Sequence, residues 1–353
     1  MALPITIPNA FANATTSIPL SQLDSNFTVV ANGVNGIGNG TNALSNVSIT
    51  GGTITTLTTP LSPSNGGTGL TSPGTSGNVL VSDGANWTSA ATSGLNTAVQ
   101  GAFKNLKVQV TANATCNVSC DQIVLYNGTL YSTRSSVAVS INTASTGANG
   151  IESGTTLTQA TWYYVWLIYN GTSVAGLLSA SSTAPTLPTG YTYTARVGAV
   201  STASANTNLL GTLQYGRKAQ YTVGTAQTSA LPIIQSAATG TLGTDGGLTA
   251  VSVAANGKVV PPTASTIRVV AKQQAGGTVD GTTGVMVAPN NSYGKQSSLT
   301  NPVPINTAFT NASAQTSYST SMGEITLEST SIYIAIGSNG SGLVACLGWE
   351  DNI

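Results

Sequence analysis

Histidine is absent from this sequence, and charged residues are scarce. Only 6% of the 353 residues are charged, against about 25% in an ordinary soluble domain. Ten basic and ten acidic residues give a formal net charge of zero. Without histidine there is no Ser-His or Cys-His nucleophile pair, no imidazole acid or base, and no histidine metal ligand. We therefore expect no enzymatic activity, no metal site and no cofactor.

The scarcity of cations and of long apolar runs also limits the possible partners. No basic residue precedes Lys104, and so few cations cannot grip a phosphate backbone, so we expect no nucleic-acid binding. No apolar run reaches the roughly 20 residues of a membrane-spanning helix, which predicts no membrane insertion. The start of the chain lacks the basic and apolar regions of a signal peptide, which predicts synthesis in a cytoplasm.

The cysteines and the nearest pair of carboxylates do not form a recognisable site. Cys116, Cys120 and Cys346 are too few for a four-ligand zinc site, and their odd number is untypical of a disulfide framework. Glu324 and Glu328 alternate with apolar residues on a predicted strand, which would hold them about 13 Å apart. A glycosidase needs its two carboxylates roughly 5–9.5 Å apart, so we interpret this pair as a solvated strand face.

The sequence is rich in glycine, serine, threonine and asparagine. Threonine, asparagine and glycine suit strands and turns better than helix surfaces, so the composition predicts a mainly β protein. A neutral surface with few charged side chains lacks the usual protection against association. This composition therefore favours a protein that is permanently assembled from several chains.

One helical pattern lies near the start of the chain. Apolar residues recur there with the alternating spacing of three and four that is typical of a coiled-coil seam: Leu20, Leu23, Phe27, Val30, Val34 and Ile37. Pro19 suits the first helical position, and Gly36 and Gly38 supply a stop. We predict a helix over about 19–36, which either packs on its own domain or docks onto other copies or another protein.

Composition and strand signals divide the chain into four segments. Residues 1–58 carry the helix and short polar strands, and residues 59–106 form a Gly/Pro/Ser-rich linker with a small hairpin. Residues 107–223 predict a β-sandwich domain, in which Trp162–Tyr169 is apolar on both faces like a central strand. Residues 224–353 predict a second, C-terminal β-rich domain of antiparallel strands.

Local signals add two further predictions. Asn127-Gly128 and Asn170-Gly171 each lie between strand signals, which predicts β-hairpins with type I′ turns. A second helical spacing predicts a short helix at the end of the linker, with apolar residues at Leu95, Val99, Phe103 and Leu106.

Several segments of the sequence share features with one protein family. They are Phe11–Phe27, the glycine-containing stretches Asn46–Ile54 and Asn65–Gly69, the hairpin segment Asn78–Trp87, and the ending Cys346–Ile353. These segments resemble tail-fibre proteins of tailed double-stranded DNA bacteriophages.

The resemblance implies a homotrimer in the virion, with an extended N-terminal anchor followed by antiparallel β-sandwich-type domains. The anchor would dock onto other phage tail or head structural proteins, and the β-domains would project for attachment to the host surface or as an adaptor. The chain would be made in the host cytoplasm. The expected virion-docking residues are the apolar side chains in and before the helix: Phe11, Ile18, Leu20, Leu23, Phe27 and Val30.

Contact with a host surface glycan is expected at tyrosines next to polar loop residues. A tyrosine ring stacks on sugar, and neighbouring amides and hydroxyls form hydrogen bonds without charge. The candidates are Tyr191, Tyr293 and Tyr318. Two alternatives stay open: a head-attached fibre or capsid decoration protein, and a tailspike that depolymerises polysaccharide.

Overall fold

The structure is a computed structural model that describes residues 6–12, 15–38, 67–72, 74–91, 99–275, 283–294, 298–307, 317–338 and 341–353. Within these ranges it is mainly β with one N-terminal helix, which confirms that part of the predicted fold class. The chain divides into two compact units, one of Met1–Gly74 and Leu80–Ser89, and one of Thr75–Val79 and Ala90–Ile353. The short strands predicted between residues 45 and 57 lie outside the described residues.

The described elements are one α-helix and twenty β-strands. The helix α1 spans Leu20–Gly38. The strands are β1 (Asn78–Ser82), β2 (Trp87–Ala91), β3 (Phe103–Lys104), β4 (Lys107–Ala112), β5 (Thr115–Tyr126), β6 (Tyr131–Asn142), β7 (Gly150–Ile151), β8 (Trp162–Tyr169), β9 (Val174–Ser179), β10 (Tyr193–Ser201), β11 (Thr212–Tyr215), β12 (Lys218–Tyr221), β13 (Ile233–Gln235), β14 (Thr249–Ser252), β15 (Ala264–Ala275), β16 (Val285–Ala288), β17 (Ile305–Asn306), β18 (Ser317–Thr326), β19 (Ser331–Ile336) and β20 (Ser341–Asp351).

The helix α1 begins one residue later than predicted. The Pro19 carbonyl accepts a hydrogen bond from the backbone N–H of Gln22 at 3.0 Å, so Pro19 occupies the N-cap position and Leu20 the first helical position. Asn32 and Asn35 weaken the intrinsic helicity of the segment. A helix of this composition is therefore stabilised mainly by what packs against its apolar face.

The hairpins form where predicted, but their loops differ from type I′ turns. Four residues separate the paired strands in each, and the Oδ1 atom of Asn127 or Asn170 accepts backbone N–H groups two and three residues further on, at 2.7–2.9 Å. A type I′ turn needs positive φ at both central residues, and here the glycine has it while the asparagine does not. Asp83 closes the β1–β2 loop in the same way, and its bonds from Asn86 and Ala85 lower the pKa of its carboxyl.

The prediction of a short helix at the end of the linker is wrong for the residues of that segment that the structure describes. Phe103 lies in β3, opposite Ile123 of β5, and Leu106 is buried beside that sheet. Pairing with a long neighbouring strand therefore overrides the helical spacing of the apolar residues. Leu95, the first residue of that pattern, lies outside the described residues.

Fourteen of the described strands form one sheet in the larger unit. Its order is β18-β15-β20-β12-β11-β4-β5-β10-β8-β9-β7, with β3 and β6 also paired to β5 and β13 paired to β20. All pairs are antiparallel except β7 with β9. Strands from both sides of residue 223 belong to this sheet, because β12 pairs with β20 and places Ala219 opposite Trp349. The boundary predicted after residue 223 thus does not separate two sheets.

Strand β8 contributes to two hydrophobic clusters at once. All eight of its residues are buried. Tyr163, Val165 and Leu167 pack in one cluster with residues of β4, β5 and β6. Trp162 and Trp166, on the opposite face, pack in a second cluster with residues of β12, β15 and β20. This strand therefore connects the two halves of the larger unit, as expected of a strand that is apolar on both faces.

Trp349 of β20 lies at the centre of the second cluster and is fully buried. Its ring makes edge contacts with Trp162 at 5.1 Å and with Tyr221 at 5.4 Å between centroids. The indole N–H of Trp162 donates to the Lys258 carbonyl at 3.0 Å, and the Tyr221 hydroxyl donates to Val259 at 2.6 Å. Trp162 and Tyr221 thus satisfy their polar groups while joining three distant segments, whereas the buried indole N–H of Trp349 has no hydrogen-bond partner in the described part of the chain.

A buried ion pair connects the same halves. The Arg196 guanidinium on β10 lies 3.2 Å from the fully buried Asp351 carboxylate on β20. It also donates to the Thr263 hydroxyl at 3.1 Å and to the Asn352 carbonyl. Removal of one partner would leave a buried charge uncompensated, which is strongly destabilising.

The smaller sheet covers one face of the large sheet. Four described strands form it in the order β14-β19-β16-β17. Val285 and Ile334 from this sheet share a hydrophobic cluster with Ile267 and Val269 of β15. Because side chains alternate along a strand, the other set of β15 and β18 side chains points away from this layer.

We predict that Trp349→Ala destabilises the protein by about 3–5 kcal/mol, because it leaves a cavity where β8, β12 and β20 meet. The free energy of unfolding is measured by chemical denaturation. Trp87→Ala is the matched control, since Trp87 is exposed on the β1–β2 hairpin, and it should cost less than about 1 kcal/mol. Equal effects of the two substitutions would contradict the proposed role of Trp349.

Candidate functional site

The predicted docking residues form an exposed apolar surface on α1 and the chain before it. Leu20, Phe27 and Val34 have 72%, 64% and 57% of their surfaces exposed. Leu23, Val30 and Ile18 are also exposed, and Phe11 is half-buried. Full burial of one such side chain contributes about 1.5–3 kcal/mol, so the surface is able to supply substantial binding free energy.

An asparagine pair fixes the approach of the chain to this helix. The backbone N–H of Asn9 donates to Asn26 Oδ1 at 3.0 Å, and Asn26 Nδ2 donates to the Asn9 carbonyl at 2.8 Å. Asn9 Nδ2 also donates to the Gln22 carbonyl at 3.2 Å. These bonds hold Asn9 against the polar side of α1. The apolar side chains remain exposed within the described part of this unit.

The three tyrosines predicted to contact glycan lie in three different environments. Tyr191 is half-buried, and its backbone N–H bonds the Pro188 carbonyl at 3.1 Å. Tyr318 is 63% exposed at the start of β18, with Lys272 Nζ 5.3 Å from its ring centroid. Tyr293 lies in a loop that packs on the smaller sheet. The structure therefore does not combine them into one site.

Tyr293 lines an open groove of about 450 Å³ together with polar loop residues. The groove residues are Asn290, Ser292, Tyr293, Thr300, Asn301 and Pro302. Asn290 Nδ2 donates to Glu328 Oε2 at 2.7 Å, and Asn301 Nδ2 donates to the Ser292 carbonyl at 3.2 Å. A half-buried ring among amides and hydroxyls is chemically suited to a neutral sugar.

A second cleft, of about 470 Å³, was not indicated by the sequence. Its polar lining includes Ser201, Thr202, Tyr221, Gln227 and Lys258. These residues come from separate segments that meet through long-range strand pairing. No spacing within any one segment would have identified it.

The carboxylates considered for glycoside hydrolysis have separate partners. Glu324 Oε2 lies 3.8 Å from Lys218 Nζ on the face of the large sheet. Glu328 follows the end of β18 and accepts from Asn290. In the described part of the chain, no three or more Cys, Asp or Glu side chains cluster as metal ligands.

All three cysteines are buried and unpaired. Burial raises the pKa of Cys116 and of Cys346 to about 12, and that of Cys120 to about 11. Because the thiolate is the reactive form, these side chains are protonated and unreactive near neutral pH. They act as small apolar core residues.

The carboxylate of Glu152 is buried, and both of its oxygens accept hydrogen bonds from within the fold. It follows β7, accepts from the Ser179 hydroxyl through one oxygen, and accepts from the Thr186 backbone N–H through the other. Burial acts to raise the pKa of Glu152, but these hydrogen bonds outweigh it and hold the pKa below its ordinary value. The carboxylate thus ties two loops to β9.

Comparison with known proteins does not assign the chain to a family. No family model matches it, and no curated protein matches it. Among the described residues, no helix is both long enough and apolar enough to cross a membrane.

We predict that Glu152→Gln destabilises the protein by about 1.5–3 kcal/mol near neutral pH, because it removes hydrogen bonds to a charged group. The folded-state pKa is lowered, so this stabilisation is present above the pKa of the unfolded chain and is lost as the pH falls through the folded pKa. Unfolding free energies of both proteins, measured from about pH 7 to about pH 3, should therefore converge in acid. A difference that does not change with pH would contradict this role.

Proposed function

We propose that this protein is a structural virion component, a trimeric phage tail fibre anchored by its N-terminal segment. The observation that carries the proposal is the exposed apolar surface of α1, formed by Leu20, Leu23, Phe27, Val30 and Val34. This surface is unusual for an isolated protein, because contiguous exposed apolar residues mark interaction sites. The resemblance of the same segment to tail-fibre proteins supports a virion partner.

The anchor binds through the hydrophobic effect and not through charge. Asp24 is the one ionisable side chain within α1, so electrostatic steering contributes little. A binding groove on a tail protein buries the exposed apolar surface of α1. Each Å² of apolar area buried in this way contributes about 25 cal/mol to the binding free energy. An apolar helix that lies in a groove of another protein is a recurrent recognition mode.

The larger unit projects outward and contacts the host surface or carries another receptor-binding protein. The groove around Tyr293 and the exposed Tyr318 are the proposed contacts with host glycan. Three copies of a weak site gain from effective concentration on a dense surface, which raises the overall avidity without new contacts. The β-sandwich-type arrangement of this unit supplies a rigid support for the loops.

Attachment to the head instead of the tail would use the same anchor and the same projecting unit. A capsid fibre or decoration protein is therefore the second candidate, supported by the same exposed surface on α1. We propose no catalytic role for the chain, and the separate partners of Glu324 and Glu328 support that proposal.

We predict that the double substitution Leu20→Asp/Phe27→Asp lowers incorporation into phage particles at least about tenfold, because it removes two buried apolar contacts. Immunoblots of purified particles and of lysates measure the incorporated fraction. Leu130→Asp, at an exposed leucine in the β5–β6 loop, is the matched control and should leave incorporation unchanged.

The oligomeric state of each variant is measured in parallel by light scattering. Both variants should retain the mass of the unsubstituted protein, because the substitutions lie outside the β-strands of the larger unit. Full incorporation of the Leu20→Asp/Phe27→Asp protein would overturn the anchor.

A further inference from the structure

Two clefts of the larger unit adjoin each other. The first is the cleft of about 470 Å³ that Gln227 and Lys258 line; we call it the Lys258 cleft. The second, of about 440 Å³, is lined by Asn113 and Asn208; we call it the Asn208 cleft. Gln227 Nε2 donates to Asn113 Oδ1 at 3.1 Å, so one hydrogen-bonded pair links the lining of the two clefts.

The loop of residues 203–208 contributes to both clefts. Ser204 lines the Lys258 cleft, and Thr207 lines the Asn208 cleft. Across the base of this loop the backbone N–H of Ala203 donates to the Asn208 carbonyl at 2.8 Å. A long ligand that crosses the loop is therefore able to contact the two clefts at once.

The turn that carries Lys258 is fixed before any ligand binds. The Lys258 carbonyl accepts the indole N–H of the buried Trp162 at 3.0 Å, and Asn256 Oδ1 accepts the Trp162 backbone N–H at 3.2 Å. The next carbonyl, that of Val259, accepts the Tyr221 hydroxyl at 2.6 Å. Because a fixed turn loses little conformational entropy on binding, a site on it is preorganised.

Other parts of the Lys258 cleft are fixed in a similar way. Thr202 Oγ1 donates to the Thr158 carbonyl at 2.6 Å, and Thr228 Oγ1 accepts the Gly211 backbone N–H at 2.8 Å. Ala160, which also lines this cleft, has a φ of 49°, a left-handed conformation that residues other than glycine rarely adopt. Backbone strain of this kind is concentrated at functional sites.

Several polar side chains that line the clefts retain their capacity for hydrogen bonding. In the described part of the chain, the hydroxyls of Ser204, Thr207 and Ser229 and the side-chain amide of Asn208 form no hydrogen bonds. Hydroxyls and amides both donate and accept, as the hydroxyls of a sugar do. Most of the lining lies in loops, whereas an extended peptide is held by main-chain bonds to a strand edge. The lining therefore favours a saccharide over a peptide.

Lys258 is the one charged side chain among the described residues that line the two clefts. Arg196 and Lys218 are paired with carboxylates, but Lys258 forms no ion pair within the described ranges. An anionic group in the Lys258 cleft would therefore meet an ammonium group without competition from a carboxylate of the lining. Leu210 and Pro232 in the same cleft supply apolar contacts for the face of a sugar ring.

We propose that the two clefts together bind an acidic oligosaccharide, whose anionic group contacts Lys258 and whose further sugar residues extend into the Asn208 cleft. The inference rests on the proposed function for the class of ligand, a host surface glycan. It adds a site that shares no lining residue with the groove around Tyr293. It also gives the glycan a charge, which the groove around Tyr293 does not require.

The first test is calorimetric titration of the purified full chain with hexasaccharides. Hyaluronan and alginate probes carry carboxylates, a carrageenan probe carries sulfates, and maltohexaose is neutral. At least one acidic probe should bind with a Kd below about 1 mM, and more tightly than maltohexaose.

Substitution of Lys258 tests the contact with the anionic group. Lys258→Gln should raise the Kd of the bound acidic probe at least about fivefold, because it removes a hydrogen bond between charged groups. Lys258→Arg should retain most of the affinity. Lys104→Gln, at an exposed cation on β3 outside both clefts, is the matched control and should leave the Kd unchanged. Chemical denaturation of each variant verifies that it is folded.

The second test asks whether the two clefts act together. Asn208→Ala should weaken binding of the acidic hexasaccharide about three- to tenfold, because it removes one hydrogen bond to the ligand. It should leave the trisaccharide of the same polymer unaffected, since the shorter chain occupies the Lys258 cleft alone. Equal weakening for both lengths, or for neither, would contradict the extended site.

Tyr293→Ala separates this inference from the proposed function. Loss of binding in Tyr293→Ala but not in Lys258→Gln assigns the glycan to the groove around Tyr293 and overturns the site in the two clefts. Binding of no acidic probe, or a preference for maltohexaose, also overturns it. None of these results changes the proposed virion anchor, because incorporation into particles tests that anchor independently.

Discussion

The larger unit depends on one strand that is buried on both faces. Side chains of β8 alternate between two hydrophobic clusters, so the same eight residues complete the cores of both halves of the unit. Trp162 contacts Trp349, and the Arg196–Asp351 ion pair joins the neighbouring strand β10 to β20. These contacts make the unit one cooperative body, which suits a rigid projection from a particle.

Scarcity of charge determines how this protein satisfies its polar groups. Asparagine and aspartate side chains close hairpin loops by accepting backbone N–H groups, a task that needs no net charge. The buried carboxylates among the described residues, Glu152 and Asp351, are well bonded. A surface with little charge has little electrostatic protection against association, which is in keeping with the proposed assembly of several copies.

Local pattern predicted some elements well and others poorly. The spacing of Leu20, Leu23 and Phe27 located α1 to within two residues, and the run Trp162–Tyr169 was correctly interpreted as a doubly buried strand. Both features depend on contiguous residues, so the sequence displays them directly. Phe103 was misassigned to a helix because its strand exists only through pairing with β5.

Features that depend on long-range register were beyond sequence reasoning. The pairing of β12 with β20 crosses the predicted boundary at residue 223, and no local signal encodes it. Tyr293 and Tyr318 were predicted to contact glycan, but their surroundings depend on neighbouring loops and strands of the folded chain and cannot be derived from local sequence.

The proposed function unites an apolar N-terminal helix that binds a particle with a rigid β unit that projects from it. Its most direct test is electron microscopy of phage particles that encode this chain, labelled with antibody fragments raised against residues 99–353. The account predicts label at the ends of threefold appendages on the particle. Particles without label, with the chain recovered only as free single protomers, would contradict it.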